Sequence, residues 1–187
     1  MQSIQTVSEN TIYVGASDRR LAKFENLFPI PRGVSYNAYV ILDEKTALLD
    51  TADASVGAQF LENVAAALDG RKLDYLIVDH MEPDHAAMIE AVLVRWPDLR
   101  LVVNAKTLPM LKMYFPTDNA AIDDALVVKE GDTLDLGKHK LTFVMAPMVH
   151  WPEVMMTFDT TTGTLFSADA FGTFGALEGA LFADEVD

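Results

Sequence analysis

The densest concentration of chemically capable side chains in this 187-residue chain is His80-Met81-Glu82-Pro83-Asp84-His85, four potential metal ligands in six residues. They follow a short apolar run, Tyr75 to Val78, so a buried strand delivers them to a loop at its end. In extended backbone alternate side chains point the same way, which predicts that His80, Glu82 and Asp84 converge on one side. The turn into a following helix lets His85 approach from another angle, and one loop can then serve two metal ions. A plainer reading is a solvated loop with Asp84 as the N-cap of a helix; it accounts for Asp84 but not for two histidines and Glu82. His150, after the strand that begins at Leu141, and Asp169, just beyond the strand Thr164 to Ser167, stand at comparable places. If these strands align, their loops gather along one rim of the fold. Pro147 and Pro152 bracket His150 and stiffen its loop. His139, in the hydrophilic turn Gly137-Lys138-His139-Lys140, is predicted to be solvent-exposed and outside the site.

The chain has no cysteine, which excludes disulfides, thiolate zinc sites, cysteine nucleophiles and protein-bound iron–sulfur clusters together. Any metal must sit on nitrogen and oxygen. Three imidazoles with three carboxylates form a harder, more anionic set than histidine-rich zinc shells, favouring iron or manganese without excluding zinc. The carboxylates cancel most of the charge of two ferrous ions and half that of two ferric ions, so both states are tolerated. Paired metals sit roughly 3.5–4 Å apart, close enough for one carboxylate to bridge. Asp169, the most isolated of the set, is the candidate bridge.

The elements that must position these residues read as strands at Thr11 to Val14, Tyr36 to Leu42 and Thr46 to Asp50, with a hairpin turn around Asp43-Glu44-Lys45. Ala58 to Leu68 has helical spacing and Gly70 stops it. After the ligand loop, a helix with Ile89, Val92, Leu93 and Trp96 inward is followed by a strand at Leu99 to Val103 and a helix at Leu108 to Tyr114. Strands at Ala125 to Lys129, Leu134 to Leu136 and Leu141 to Met145 precede a hairpin, Val154 to Phe158 and Thr164 to Ser167, turning at Thr160 to Gly163. The threonine-rich turn superficially resembles a phosphate loop, but it precedes a strand rather than a helix N-terminus. The nine methionines are read as core filler. This pattern predicts one α/β domain over residues 1–187, a layered sandwich of two mixed sheets with helices outside. Gly175 to Asp187 trails off in small and acidic residues, so the architecture is expected to be incomplete at its C-terminus.

Fourteen basic against 28 acidic residues give a formal charge of -14, which repels nucleic acid and anionic lipid surfaces. Neither a basic-then-apolar leader nor an apolar run of about 18 residues is present. The expectation is a cytoplasmic protein with no nucleic acid or membrane partner.

At this point the residues resemble the flavodiiron proteins, also called A-type flavoproteins. Their metallo-β-lactamase-like domain carries H-x-E-x-D-H, then a distant histidine, then an aspartate. His80 to His85 fits the motif, and eighteen residues lie between His150 and Asp169. Zinc hydrolases of the same superfamily have histidine where Glu82 stands. The similarity extends to Ser35-Tyr36-Asn37-Ala38-Tyr39 with the strand on to Asp50-Thr51, to Ala146-Pro147-Met148-Val149-His150-Trp151-Pro152, and to Ser167-Ala168-Asp169-Ala170-Phe171-Gly172. It spans nearly the whole chain.

The resemblance implies a metallo-β-lactamase-like αββα fold, with His80, Glu82 and His150 holding one iron, Asp84 and His85 the second, and Asp169 bridging. It implies reduction of nitric oxide to nitrous oxide or of dioxygen to water, in a head-to-tail homodimer fed by a flavodoxin-like or rubredoxin-like donor. A dry pocket near the metals would be lined by Trp151, Phe171 and Phe174. The chain departs from the family pattern twice. No histidine follows His150, where the family places a further ligand of the second iron, and no flavodoxin-like segment is present to hold FMN. Flavin is therefore expected only from a separate domain, and the isolated chain should be poorly active. The alternatives are a dinuclear zinc hydrolase and a non-catalytic partial domain.

Overall fold

The computed structural model describes residues 3–115 and 120–185. The first third is a succession of short strands: Gln5–Ser8 (β1), Thr11–Tyr13 (β2), Ala16–Asp18 (β3), Lys23–Phe24 (β4), Phe28–Pro29 (β5), Val34–Tyr36 (β6), Tyr39–Leu42 (β7) and Thr46–Leu49 (β8). Helix α1 (Gly57–Leu68) leads to β9 (Tyr75–Ile77), α2 (Pro83–Ala86), α3 (Ile89–Arg95), β10 (Arg100–Asn104), α4 (Thr107–Tyr114), α5 (Ala120–Asp123) and β11 (Leu126–Val128). The last part is β12 (Thr133–Asp135), β13 (Lys140–Met145), β14 (Met155–Asp159) and β15 (Thr164–Phe166).

A seven-stranded sheet runs β1-β2-β7-β8-β9-β10-β11, and a four-stranded sheet runs β12-β13-β14-β15. The first is antiparallel from β1 to β8 and parallel from β8 to β11. The parallel half is where helices intervene between strands, as parallel crossovers require. The second sheet is antiparallel throughout.

Period-two alternation in the large sheet separates two cores. Leu48, Leu76, Leu101 and Val103 face one way and pack with Phe60, Val64 and Leu68 of α1 and with Ile89, Val92 and Leu93 of α3. Ala47, Leu49, Ile77 and Val102 face the other way, against Leu141, Phe143, Met155 and Phe166 of the second sheet. This second core contains no residue of any helix. Among the described residues the layers are therefore helices, large sheet and small sheet, the mixed sandwich that the patterning predicts.

Several expectations need correction. The single strand predicted over Tyr36 to Leu42 is split, because β6 pairs with β3 whereas β7 pairs with β2 and β8. The β4–β5 hairpin, two residues a side, is too short to leave a periodic signal. Trp96, the C-cap of α3, is half-buried and packs against the helix-side core with Ile89, Val92 and Leu93, as its predicted face requires. His139 is not exposed: it is 1% accessible, its Nδ1 lies 2.8 Å from Asp159 Oδ2 and its backbone N donates to Asp43 Oδ2 at 2.6 Å. Two carboxylates, one just after β7 and one at the end of β14, fold over a segment whose composition alone suggests solvent. The threonine-rich turn is the β14–β15 hairpin, as expected, closed by Gly163 N donating to Asp159 O.

Phe143 is fully buried between the sheets, on the strand that leads to His150. Phe143→Ala is expected to cost about 3–5 kcal/mol of folding stability, read by urea denaturation. A loss of about 0.5 kcal/mol or less, the scale of ordinary surface substitutions, would show that the two sheets are not packed through this ring.

Candidate metal centre

Three strand ends deliver the site. β9 runs into the loop carrying His80 and Glu82, the β13–β14 connection carries His150, and the turn after β15 carries Asp169. The structure brings all six predicted residues together as two donor groups: His80, Glu82, His150 and Asp169 in one, Asp84, His85 and Asp169 in the other. Within each group the donor atoms lie within 4.8 Å of one another.

Asp169 belongs to both groups through different oxygens. Its Oδ2 lies 3.3 Å from His80 Nε2 and 3.3 Å from His150 Nε2, while its Oδ1 lies 2.9 Å from His85 Nε2. Glu82 Oε2 approaches His80 Nε2 at 3.1 Å and His150 Nε2 at 2.7 Å, and Asp84 Oδ2 is 3.6 Å from His85 Nε2. All three imidazoles thus turn Nε2 inward. Strict alternation along the loop does not survive: Glu82 is the last extended residue, and α2 begins at Pro83. Asp84 therefore swings into the second group beside His85. Nor does Asp84 cap the helix; the N-cap position is Glu82, with no side-chain capping bond, and Asp84 lies inside the first turn.

The sequence reading missed the residues behind the histidines. Glu153 Oε1 lies 2.7 Å from His80 Nδ1, and Asp50 Oδ2 lies 2.9 Å from His85 Nδ1. Asp50 Oδ1 also accepts from Asp79 N at 2.7 Å, and Thr157 Oγ1 donates to Asp79 Oδ1 at 2.8 Å. A carboxylate on the outer nitrogen fixes a histidine's tautomer and leaves the inner nitrogen free to ligate. The available signal was an acidic residue beside apolar runs, at the end of β8 and just before β14. Trp151 stands edge-on to His80, ring centroids 5.3 Å apart and planes at 90°.

The electrostatics show what this donor set lacks. Burial opposes a charge on His80, but hydrogen bonds to Asp169, Glu153 and Glu82 outweigh it and push its pKa up to about 11. His85 is likewise raised against its burial, by Asp169 and Asp50. Asp169, despite a burial contribution in the other direction, is held far below the carboxylate range by His80 and His85. Asp84 is raised to about 6, by burial first, and its Oδ1 is buried with no hydrogen-bond partner. Protons on the imidazoles supply the positive charge that the carboxylates demand. Cations at the same places would do so better, and would give Asp84 Oδ1 a partner. The residues fit a pair of metal ions.

Beside the donors lies a cavity of about 440 Å³, lined by Phe24, Phe28, Val34, Tyr36 and Phe174 together with Glu82, Asp84, His85, His150 and Asp169. Of the three aromatics expected here only Phe174 is among its walls. Trp151 packs against His80 and His150 instead, and Phe171 is 91% exposed.

With the geometry in view, comparison with known proteins is direct. Residues 34–187 match the family described as ODP family beta lactamase, and the chain belongs to that family. An anaerobic nitric oxide reductase flavorubredoxin of Klebsiella pneumoniae is 38% identical over 185 residues, covering 97% of this chain and 37% of the relative. The rubredoxin oxygen:oxidoreductase of Desulfovibrio gigas superposes with a TM-score of 0.92 at 31% identity, over 99% of this chain and 45% of that one. The flavodiiron protein of Giardia intestinalis superposes with a TM-score of 0.89 at 27% identity, over 99% of this chain and 44% of that one. The fold is metallo-β-lactamase-like, and the resemblance to flavodiiron proteins holds over almost the whole chain, which spans less than half the length of these relatives. Among the described residues no helix is long and apolar enough to cross a membrane.

The charge balance gives a prediction for the metal-free chain. Folding raises the pKa of His80 from 6.5 to about 11, so the stability from its ion pairs is full below pH 6.5 and drains away as pH climbs toward 11. Folding lowers that of Asp169, so its share is present above 3.8 and lost on acidification. Urea denaturation of metal-free protein should show stability falling between about pH 7 and pH 10, with a shallower fall in His80→Gln. A profile that is flat or rises over this interval would contradict the ion pairing.

Proposed function

We propose that the chain is the di-iron part of a flavodiiron-type reductase that converts nitric oxide to nitrous oxide, dioxygen to water, or both. The observation that carries this reading is Asp169, whose two oxygens face two separate donor groups. His80, Glu82 and His150 would hold one iron, Asp84 and His85 the other, and Asp169 would span them. Two ferrous ions, when bound, supply one electron each to a substrate held between them.

The chain's own residues have three tasks. Glu153 and Asp50 orient the histidines from behind. The three carboxylates offset most of the charge of a diferrous pair and half that of a diferric one. The aromatic and aliphatic walls of the cavity favour small uncharged molecules over water and anions. Coupling two nitric oxide molecules to nitrous oxide and water takes two electrons and two protons; dioxygen needs four of each. The balance for dioxygen has to come from outside, from FMN on a flavodoxin-like domain or from a rubredoxin-like donor, in a head-to-tail homodimer in the cytoplasm. Glu82, at a position where zinc hydrolases of this superfamily carry histidine, weighs against hydrolysis. The relatives from Klebsiella and Desulfovibrio, a nitric oxide reductase flavorubredoxin and a rubredoxin oxygen:oxidoreductase, support the redox reading.

The two donor groups differ in number, four residues against three, so ferrous iron should bind in two steps, first beside His80 and His150 and more weakly beside Asp84 and His85. Anaerobic loading followed by elemental analysis is expected to give two irons per chain and, with a flavodoxin-type donor and nitric oxide, nitrous oxide. Asp169→Ala should reduce the iron to one or none and abolish nitrous oxide formation. Two zinc ions, esterase activity and no iron after iron-replete growth would overturn the proposal.

A further inference from the structure

We infer that Glu153 is a positioning residue: it selects the His80 tautomer that presents Nε2 to the first metal position, and it ties the loop bearing His80 to the loop bearing His150. The inference rests on the metal reading above and deepens it.

The Glu153 side chain is fully buried. Its Oε1 takes two contacts from the neighbouring loop, His80 Nδ1 at 2.7 Å and Met81 N at 3.0 Å, while Oε2 has no hydrogen-bond partner. No lysine or arginine forms an ion pair with it among the described residues; the nearby Lys106 Nζ donates instead to Pro152 O. Among the described residues the one charged partner of Glu153 is the His80 ring; burying a carboxylate is costly even when paired, and an apolar side chain of similar size would fill the space at less expense. What glutamate supplies that such a residue would not is an acceptor that never donates. Facing it, His80 must carry a hydrogen on Nδ1. Once a metal takes the other nitrogen, that hydrogen is the only one the ring keeps, and the Nε2 lone pair points at Glu82 and Asp169.

The second half of the inference concerns distance along the chain. Glu153 is three residues after His150, and the chain around it is pinned: Lys106 Nζ donates to Pro152 O at 3.0 Å, Asn104 Nδ2 to Glu153 O at 2.5 Å, and Met155 N to Asp79 O at 3.0 Å. The side chain therefore links two ligand-bearing loops that are 70 residues apart in sequence. His150 itself is half-exposed, and the turn just before β14 that carries Glu153 adds a second tie between its loop and the His80 loop, beside the contact of His150 Nε2 with Glu82 Oε2.

The test uses Co2+ as the probe, titrated anaerobically into the full chain, with visible d–d absorption reporting each equivalent. Asp84→Ala and His150→Ala, which each remove a ligand private to one group, assign the two equivalents. Glu153→Ala is expected to weaken the His80/His150 equivalent by about 10–100-fold and to leave the Asp84/His85 equivalent unchanged. Glu153→Gln, which keeps volume and one acceptor oxygen, should fall between Glu153→Ala and the unaltered chain. In Zn2+-loaded protein, nitrogen-15 NMR should show hydrogen on His80 Nδ1 in the unaltered chain, with that signal lost or exchange-broadened in Glu153→Ala. Equal weakening of both equivalents would mean a general structural role, and unchanged affinity with an unchanged Nδ1 signal would mean none; either overturns the inference while leaving the metal reading intact. Failure of the unaltered chain to bind Co2+ at all would instead overturn the metal reading, and this one with it.

Discussion

Glu82, Asp84 and Asp169 meet three imidazoles in a largely buried space, and the negative charge gathered there must be answered by something positive. In the chain by itself the answer is protons: His80 and His85 are driven to hold them well above the ordinary histidine range, against the opposing cost of burial. That arrangement is a compromise, since Asp84 keeps an oxygen with no partner and a pKa pushed up to about 6. A pair of divalent ions would supply that positive charge without protons. The constraint extends outward to Glu153 and Asp50, carboxylates behind the rings that lie 2.7 and 2.9 Å from the outer nitrogens of His80 and His85.

The sandwich meets this demand by placing ligands where strands end. Side chains of the large sheet alternate between a helix-facing core and a core shared with the small sheet, so β8 and β9 are pinned from both faces and their ends are rigid. β13 and β14, paired along five residue positions, bring the His150 loop to the same rim. The β15 turn adds Asp169. Because the six donors come from separate strand ends rather than from one flexible segment, their convergence reflects the packing of both cores. The site is thereby coupled to the fold as a whole.

Much of this was legible in the sequence, and the exceptions have physical causes. The His80 to His85 cluster stood out because side chains of those types rarely crowd together without a task, and the long helices and paired strands announced themselves by period. What failed was local. Alternation alone grouped Asp84 with His80 and Glu82 because it was extended past Pro83, which starts a helix, whereas the resemblance grouped it with His85. His139 looked exposed because its neighbours are charged, whereas its surroundings are set by Asp43, just after β7, and Asp159, at the end of β14. Glu153 and Asp50 drew no notice because a lone acidic residue carries no pattern; its meaning lies in the ring nitrogen it faces. The resemblance to flavodiiron proteins supplied the pairing of ligands that spacing alone left open.

The central claim is that two metal ions share Asp169. Anomalous diffraction at the iron edge, from crystals loaded with ferrous iron without oxygen, tests it most directly. The account predicts two iron peaks roughly 3.5–4 Å apart, one beside His80, Glu82 and His150, the other beside Asp84 and His85, with a carboxylate oxygen of Asp169 on each. A single peak, or iron bound away from Asp169, would contradict it.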